Sequence, residues 1–203
     1  MEVKDIAFAN AKKIYPLLPG KVSERRFVLG IDGLSRSGKT SLTAELKRRL
    51  VERGEEFVLL HIDDYITARS QRYHTGHEEW YEYYALQWNA EKLRKDLFEN
   101  LKTASQLTLP VYDEQVDSLE TQTVHLPERG IIVVEGVFLQ RSEWRGYCDF
   151  VVYLDCPREE RFKREGELTQ SRRDKFVNRY WKAEDYYLKT ERPTEQAHLV
   201  LNG

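Results

Sequence analysis

The pattern of apolar and amphipathic segments predicts an α/β protein with three layers, in which helices flank a five-stranded, mostly parallel sheet. Four apolar runs read as strands: FVLGID, FVLLHID, IIVVEGVF and DFVVYLD. The last two are nearly continuous β-branched sequence, which is typical of strands buried on both faces of a parallel sheet. Helical sequence alternates with these runs, as in α/β folds. The chain has 203 residues, 40% of them hydrophobic, which suits one core, so we expect one domain over residues 1–203.

An amphipathic helix is expected within residues 1–26. Apolar residues such as Val3, Ile6 and Ile14 recur near the helical period. Two prolines and Gly20 then close the segment. We interpret this helix as a packing element.

A strand-helix-strand unit follows the N-terminal helix. The run FVLGID (Phe27 to Asp32) precedes SLTAELKRRLVERG, in which leucines recur every four residues and Gly54 suits a helix C-terminus. The run FVLLHID (Phe57 to Asp63) completes the unit. Such units join parallel strands through a right-handed crossover.

The turn between this strand and helix, GLSRSGKT, matches the pattern G-x-x-x-x-G-K-[ST]. Its glycines let backbone N–H groups surround phosphate oxygens, Lys39 reaches the β- and γ-phosphates, and the Thr40 hydroxyl binds magnesium. The alternative, a glycine-rich surface turn, does not explain the flanking strand and helix. The motif predicts a P-loop NTPase fold that uses ATP and Mg²⁺. The residues expected to hold the nucleotide are Gly33, Ser35, Ser37, Gly38, Lys39, Thr40 and Ser41.

Three acidic residues are expected at the same edge of the sheet as this loop. Asp63 and Asp64 end the second strand in HIDDY, and Glu135 ends the apolar part of IIVVEG. Ligands of open α/β sheets bind at the carboxyl ends of the strands. One aspartate could take the proton from an attacking hydroxyl or hold magnesium through water, or either could cap a helix. Asp63, Glu135 and Thr40 are the expected metal residues.

The middle of the chain is less regular. Residues 65–88 are polar and aromatic without a clean period, whereas residues 90–101 show a helical leucine pattern, and LTLPVYD and TQTVHL predict a projecting hairpin. The aromatic residues of the first segment could stack on a ring of a substrate or pack beneath a lid. His74 and His77 lack further ligands at zinc spacing and are interpreted as part of a polar loop.

The C-terminal part, from Arg158 to Lys189, is helical and highly charged, and HLVLN predicts a last short strand. Residues 158–175 are expected to form a lid whose arginines neutralise phosphate charge. Arg161, Arg164 and Arg173 are the candidates. The alternative is a solvated helix face on which arginines and glutamates alternate.

The bulk composition limits the class of partner. The net charge is −2, from 32 basic and 34 acidic residues, so no whole-chain excess attracts nucleic acid or membrane. No segment approaches the roughly 20 apolar residues that span a bilayer, and Cys148 and Cys156 lack CxxC spacing. We expect a cytoplasmic protein with reduced thiols and a small-molecule partner. The oligomeric state stays open.

Together these motifs resemble the uridine kinase and nicotinamide riboside kinase group of P-loop kinases, over residues 27–202. The shared features are the GLSRSGKT loop, the Asp-containing end of HIDDYI, the Pro-x-Tyr-Asp of PVYD before the EG strand, and the arginine-rich RFKRE and SRRD. The resemblance implies transfer of the ATP γ-phosphate to a hydroxyl group of a small molecule. It implies Asp63 as general base, Thr40 and Glu135 on the metal side, and Tyr65, Tyr112 and Asp113 as walls of the acceptor pocket. The further catalytic candidates are Lys39 of the phosphate loop and Arg164 and Arg173 of the basic stretch. The residues expected around the acceptor are Asp64, Tyr65, Tyr84, Trp88, Tyr112 and Asp113.

The segments expected to bind the phosphate acceptor depart from the family pattern. In uridine kinases a His and an Arg usually come after the Tyr-Asp pair. Here the sequence YDEQVDS has Asp117 and Leu119 near those positions. The Asp-x-Pro segment of the family is also missing before residue 90. A nucleoside remains the expected acceptor. The competing readings are a kinase for another alcohol, such as pantothenate or a sugar, and a regulatory P-loop NTPase.

Overall fold

The computed structural model describes residues 3–19 and 25–203, so the expected helix end at Gly20 lies outside the described residues. Five parallel strands form one sheet, which confirms the predicted fold class. The strand bounds are Arg26–Gly33 (β1), Phe57–His61 (β2), Gly130–Gly136 (β5), Phe150–Asp155 (β6) and Leu199–Asn202 (β7). Across the sheet their order is β2-β5-β1-β6-β7. The last of these is the predicted HLVLN strand.

Two apolar clusters cover the two faces of the sheet and produce the three layers. Along β1, Val28 contributes to one cluster and Leu29 to the other, and Ile132 and Val133 of β5 divide in the same way. This division follows from the alternation of side chains along a strand. All four side chains are at least 98% buried, as the continuous apolar runs predict.

Helices pack on both faces of the sheet. Their bounds are Val3–Ile14 (α1), Lys39–Glu52 (α2), Arg69–Arg72 (α3), Glu79–Ala85 (α4), Ala90–Asp96 (α5), Arg158–Lys163 (α6), Glu167–Gln170 (α7), Arg173–Lys175 (α8), Lys182–Glu191 (α9) and Pro193–Gln196 (α10). Helix α1 packs against α2. Gly54, beyond the end of α2, has the left-handed φ of 62° that suits a helix C-terminus.

Several predicted elements have different bounds from those expected. Strand β2 stops at His61, and a 3₁₀ turn carries Ile62–Tyr65. Helix α5 ends at Asp96, and the side-chain amide of Asn100 donates hydrogen bonds to the carbonyl oxygens of Lys95 and Asp96 at this helix end. The charged C-terminal segment divides into α6, α7, α8, a π-helix over Phe176–Trp181, and α9.

The predicted hairpin projects from the main sheet. It consists of β3 (Gln106–Asp113) and β4 (Ser118–His125), which pair antiparallel. Leu107 and Leu109 are buried, whereas β4 is mostly exposed, so one strand packs on the body and the other faces solvent. Cys148 and Cys156 are free thiols, as expected.

Within residues 3–19 and 25–203, no helix is both long enough and apolar enough to cross a bilayer.

Candidate active site

A cavity of about 720 Å³ opens at the carboxyl ends of β2, β5 and β1. These three strands are neighbours in the sheet, so the turns after them lie side by side. The segment from α6 to α9 closes the opposite wall. Of the predicted site residues, the cavity is lined by Ser35, Gly38, Lys39, Thr40, Ser41, Asp63, Glu135, Arg161 and Arg164.

The loop between β1 and α2 needs both of its glycines. Gly33 has a φ of 155°, and a Cβ atom there would lie 2.6 Å from Ser37 Oγ and 2.9 Å from the Leu154 carbonyl oxygen. Gly38 immediately precedes α2 with a left-handed φ of 100°. Only glycine adopts such backbone readily. The loop therefore turns tightly onto the N-terminus of α2, where N–H groups favour anions.

Lys39 begins α2 and lies over this loop. Its Nζ donates hydrogen bonds to the carbonyl oxygens of Gly33, at 2.9 Å, and Leu34, at 3.2 Å. Burial lowers the pKa of Lys39, and the carboxylates of Glu135 and Asp63 oppose that shift. The ammonium group is thus held at the cavity wall between the loop and two acidic side chains.

Asp63 lies in the 3₁₀ turn that follows β2, and its neighbour Ile62 fixes that turn. The indole N–H of Trp88 donates a 2.8 Å hydrogen bond to the Ile62 carbonyl oxygen, and Ile62 packs against Gly136. The Asp63 side chain is accessible through the cavity, but the surrounding protein displaces bulk water and raises the pKa of its carboxyl group, which Lys39 opposes. A carboxylate whose pKa is raised in this way is a stronger proton acceptor than an ordinary aspartate.

Glu135 ends β5 and is almost completely buried. Its Oε1 lies 2.6 Å from His61 Nδ1, and this hydrogen bond raises the pKa of His61. Its Oε2 is buried and has no hydrogen-bond partner among the described residues. Sequence reasoning did not identify His61, although its place two residues before Asp63 puts it at the same sheet edge.

The donors around the loop fit a phosphate and a hydrated divalent cation. Ser37 Oγ, like Glu135 Oε2, is buried without a partner among the described residues, and Thr40 is exposed in the cavity. The described residues contain no cluster of three His, Cys, Asp or Glu side chains that could hold a metal ion. This donor set suits Mg²⁺, which usually keeps several waters and shares phosphate oxygens with one or two protein ligands.

Arg161 is engaged by protein groups on several sides. Two nitrogens of its guanidinium donate to the two carboxylate oxygens of Glu184, at 2.6 and 2.8 Å, and it also donates to the Ser35 and Cys156 carbonyl oxygens. Both members of the pair line the cavity. Arg161 therefore joins the phosphate loop to α9.

Arg164 and its neighbour Glu165 contact the same loop from the segment predicted to form a lid. Arg164 donates to the Arg36 carbonyl oxygen at 2.9 Å, and the Arg36 guanidinium makes two 3.0 Å bonds to the Glu165 carboxylate. Arg173 instead packs over the rings of Phe162 and Trp181, outside the cavity wall. Of the three candidate arginines, the structure brings Arg161 and Arg164 to the cavity.

Several residues expected around the acceptor lie elsewhere. Trp88 and Tyr84 are 2% and 7% exposed and belong to the hydrophobic core. Tyr65 is also buried, with its pKa raised to about 12 by burial, and Tyr112 donates a hydrogen bond to Asp117. Among the described residues, the cavity wall does not include these four side chains, Asp64 or Asp113.

A different aromatic wall faces the cavity. Tyr83 meets Tyr180 edge to face, with ring centroids 4.9 Å apart, and Tyr180 lies 5.2 Å from Phe176. Trp181 extends the same wall. Three of these four residues come from the π-helix, a type of turn that often occurs at functional sites. In the sequence, the three aromatic residues of KFVNRYW are the only indication of this aromatic wall, and the charged residues around them obscure it.

Comparison with known proteins shows which family shares this architecture. The family model described as an AAA domain matches residues 29–186. A solved structure described as a possible uridine kinase from Bacillus stearothermophilus is 48% identical, with a TM-score of 0.83, and the match covers 100% of both chains.

Curated relatives point to the same group. The uridine kinase of Borrelia duttonii (strain Ly) is 27% identical over an alignment of 190 positions, and the match covers 86% of this chain and 85% of that enzyme. The uridine kinase of Leuconostoc citreum (strain KM20) is 28% identical over 176 residues, with 82% and 78% coverage. These similarities, with the loop and acidic edge described above, show a small-molecule kinase: the chain belongs to the uridine kinase-like family of P-loop kinases, within the group that carries the AAA domain.

Proposed function

We propose that this kinase uses ATP and Mg²⁺ to phosphorylate a hydroxyl group of a nucleoside-type acceptor. The observation that carries the proposal is the position of Asp63, which lines one cavity together with Lys39 and Thr40 of the phosphate loop. A proton acceptor and a phosphate-binding loop thus face the same space. Phosphoryl transfer to a bound hydroxyl compound requires this combination.

On the nucleotide side, the loop N–H groups and Lys39 bind the β- and γ-phosphates. Lys39 exchanges its bonds to the Gly33 and Leu34 carbonyls for phosphate oxygens. Thr40 and the free oxygen of Glu135 are the protein groups that would hold the magnesium ion and its water shell. The ion supplies neutralisation of the charge on the transferring phosphate.

On the acceptor side, Asp63 takes the proton from the acceptor hydroxyl. The hydroxyl oxygen forms a bond to the γ-phosphorus, the bond from that phosphorus to the β–γ bridging oxygen breaks, and ADP leaves. The raised pKa of Asp63 makes its carboxylate a stronger base than that of an ordinary aspartate. Arg164, at the phosphate loop, would neutralise the oxygens of the transferring group.

The cavity wall supports an acceptor with a planar ring. Tyr83, Phe176 and Tyr180 offer aromatic surface within the cavity that holds Asp63, and aromatic rings stack favourably on nucleobases. The relatives named uridine kinases support the same class. Outside this cavity wall lie the other residues expected around the acceptor, Asp64, Tyr65, Tyr112 and Asp113.

An ADP-release assay over nucleosides, nicotinamide riboside, pantothenate and sugars tests the proposal. We expect turnover with at least one nucleoside, and a loss of about 10²–10⁴-fold in kcat for Asp63→Asn with ATP binding retained. Asp64→Asn is the matched control, because this neighbour lies outside the cavity wall. Turnover with a non-nucleoside alone would refute the nucleoside class, and slow hydrolysis with every acceptor would favour a regulatory NTPase.

A further inference from the structure

The contact between His61 and Glu135 lies at the edge of two neighbouring strands. Strands β2 and β5 are parallel, and their register pairs His61 with Glu135, so the two side chains leave the same face of the sheet side by side. The 2.6 Å distance joins His61 Nδ1 to Glu135 Oε1. A carboxylate oxygen accepts hydrogen bonds, so His61 serves as the donor of this contact in the tautomer that carries the proton on Nδ1.

This hydrogen bond leaves one oxygen of Glu135 available. Oε2 is buried and has no partner among the described residues, although Glu135 lines the cavity. A buried acceptor without a partner costs about 1–3 kcal/mol. A ligand N–H or O–H group, or a water bound to a metal ion, would supply the missing partner, provided that the carboxylate keeps its orientation.

Lys39 is the cation that competes for this carboxylate. Glu135 is the leading favourable charge acting on the Lys39 ammonium. A glutamate side chain has three rotatable bonds, so without a fixed partner it could turn toward that ammonium. Such a contact would occupy Lys39, which the phosphate requires, and remove the free oxygen of Glu135.

We infer that His61 is a positioning residue, which holds Glu135 Oε1 so that Oε2 faces the magnesium side of the cavity and Lys39 stays available for phosphate. The inference rests on the proposed role of Glu135 toward the metal ion. Groups of this kind, hydrogen-bonded to a residue that serves a metal, typically contribute 10–100-fold to metal affinity.

The test measures binding of the non-hydrolysable ATP analogue AMP-PNP by calorimetry, once with Mg²⁺ and once with EDTA. His61→Phe keeps the ring and removes the donor, and His61→Leu serves if the first variant loses secondary structure. His61→Asn places an amide N–H near the position of Nδ1. The matched control is His125→Leu, at an exposed position on β4.

We expect His61→Phe to reduce the magnesium-dependent gain in affinity about ten-fold, with binding in EDTA unchanged. His61→Asn should recover most of the gain, and His125→Leu should match the wild type. Equal gains in wild type and His61→Phe would overturn the inference. Equal losses of AMP-PNP affinity with and without magnesium would indicate general damage to the site and would also overturn it. Failure of His61→Asn to recover the magnesium-dependent gain would overturn it as well.

No acceptor is present in this measurement, so it is independent of the nucleoside assay. A wild-type protein that shows the magnesium gain but phosphorylates no nucleoside would refute only the proposed acceptor. A wild type that phosphorylates a nucleoside while His61→Phe retains the full gain would refute only the role of His61.

Discussion

The guanidinium of Arg161 and the carboxylate of Glu184 form a two-point ion pair across the cavity wall, 6% and 3% exposed at the side chains. Arg161 also donates to the Ser35 carbonyl oxygen at 3.1 Å. Residues 35 and 184 are far apart in sequence, so this single side chain ties the phosphate loop to α9. The pair thus couples the geometry of the loop to the packing of the C-terminal helices.

Removal of one member of this pair should lower the free energy of unfolding much more than replacement of both members by apolar residues. Arg161→Ala leaves the Glu184 carboxylate buried without its cation, which typically costs about 3–5 kcal/mol. The double variant Arg161→Met/Glu184→Leu fills the same space without charge and should recover most of that stability. Urea unfolding of the three proteins measures the difference. A double variant no more stable than Arg161→Ala would contradict this account.

Gly136 should control the position of Asp63. A Cβ atom at Gly136 would lie 2.0 Å from Ile62 Cγ1 and 2.6 Å from its Cδ1, and Ile62 is fully buried. Gly136→Ala should therefore displace the turn that carries Asp63. We expect a loss of about 100-fold in kcat, because a shift of about 1 Å at a catalytic group has effects of this size.

A compensating variant separates displacement from general instability. Gly136→Ala combined with Ile62→Ala removes the two atoms that collide, so part of the lost kcat should return. Thermal unfolding of each variant accompanies the assay. If the double variant is less active than Gly136→Ala at a temperature where both are folded, the steric account fails.

The parts of the site that local sequence determines were predictable. The phosphate loop is a continuous motif, and Asp63 and Glu135 follow apolar strands whose carboxyl ends meet at one edge. The Arg161–Glu184 pair was not predictable, since it joins α6 to α9 across a break at Gly166 and the π-helix. Its partner is set by how two helices pack, which the spacing of charges does not encode.

The acceptor wall illustrates a second limit. Tyr83 and Tyr84 are adjacent in α4, a helix of seven residues, yet Tyr83 lines the cavity and Tyr84 packs in the core. A helix of two turns is too short for its hydrophobic period to fix its rotation, particularly when both faces carry aromatic residues. Both rings contact Phe138, and tertiary contacts distinguish them: Tyr83 meets Tyr180, whereas Tyr84 meets Tyr186 and Tyr187.

Asp32 should make stability decrease as the pH rises. Its carboxylate is fully buried and accepts hydrogen bonds from Leu139 N–H at 3.1 Å, the Gln140 side chain at 2.9 Å and the Tyr187 hydroxyl at 2.5 Å. Burial raises the pKa of Asp32 above its ordinary value of 3.8, against these bonds. The folded state therefore binds the proton more tightly than the unfolded state does.

The variant Asp32→Asn isolates this effect because it does not titrate. Between pH 3.8 and the raised pKa, the unfolding free energy of the wild type should fall relative to the variant, by at most about 1.4 kcal/mol per pH unit. Above that pKa the difference should be constant. Chemical denaturation from about pH 4 to pH 8 measures it. A difference that is independent of pH would show that burial does not perturb this carboxyl group.

Truncation of Tyr83 to alanine should affect the acceptor KM, whereas truncation of Tyr84 should affect the stability of the fold. Tyr83→Ala removes an aromatic surface from the cavity, so we expect the acceptor KM to rise up to about ten-fold with ATP binding unchanged. Tyr84→Ala instead leaves a hole beside Phe138 and Tyr187 and should cost about 3–5 kcal/mol of unfolding free energy. Steady-state kinetics with a nucleoside acceptor and urea unfolding, applied to both variants, make the comparison. A raised acceptor KM for Tyr84→Ala alone would place the acceptor on the far side of α4, against the core-packed position of that ring.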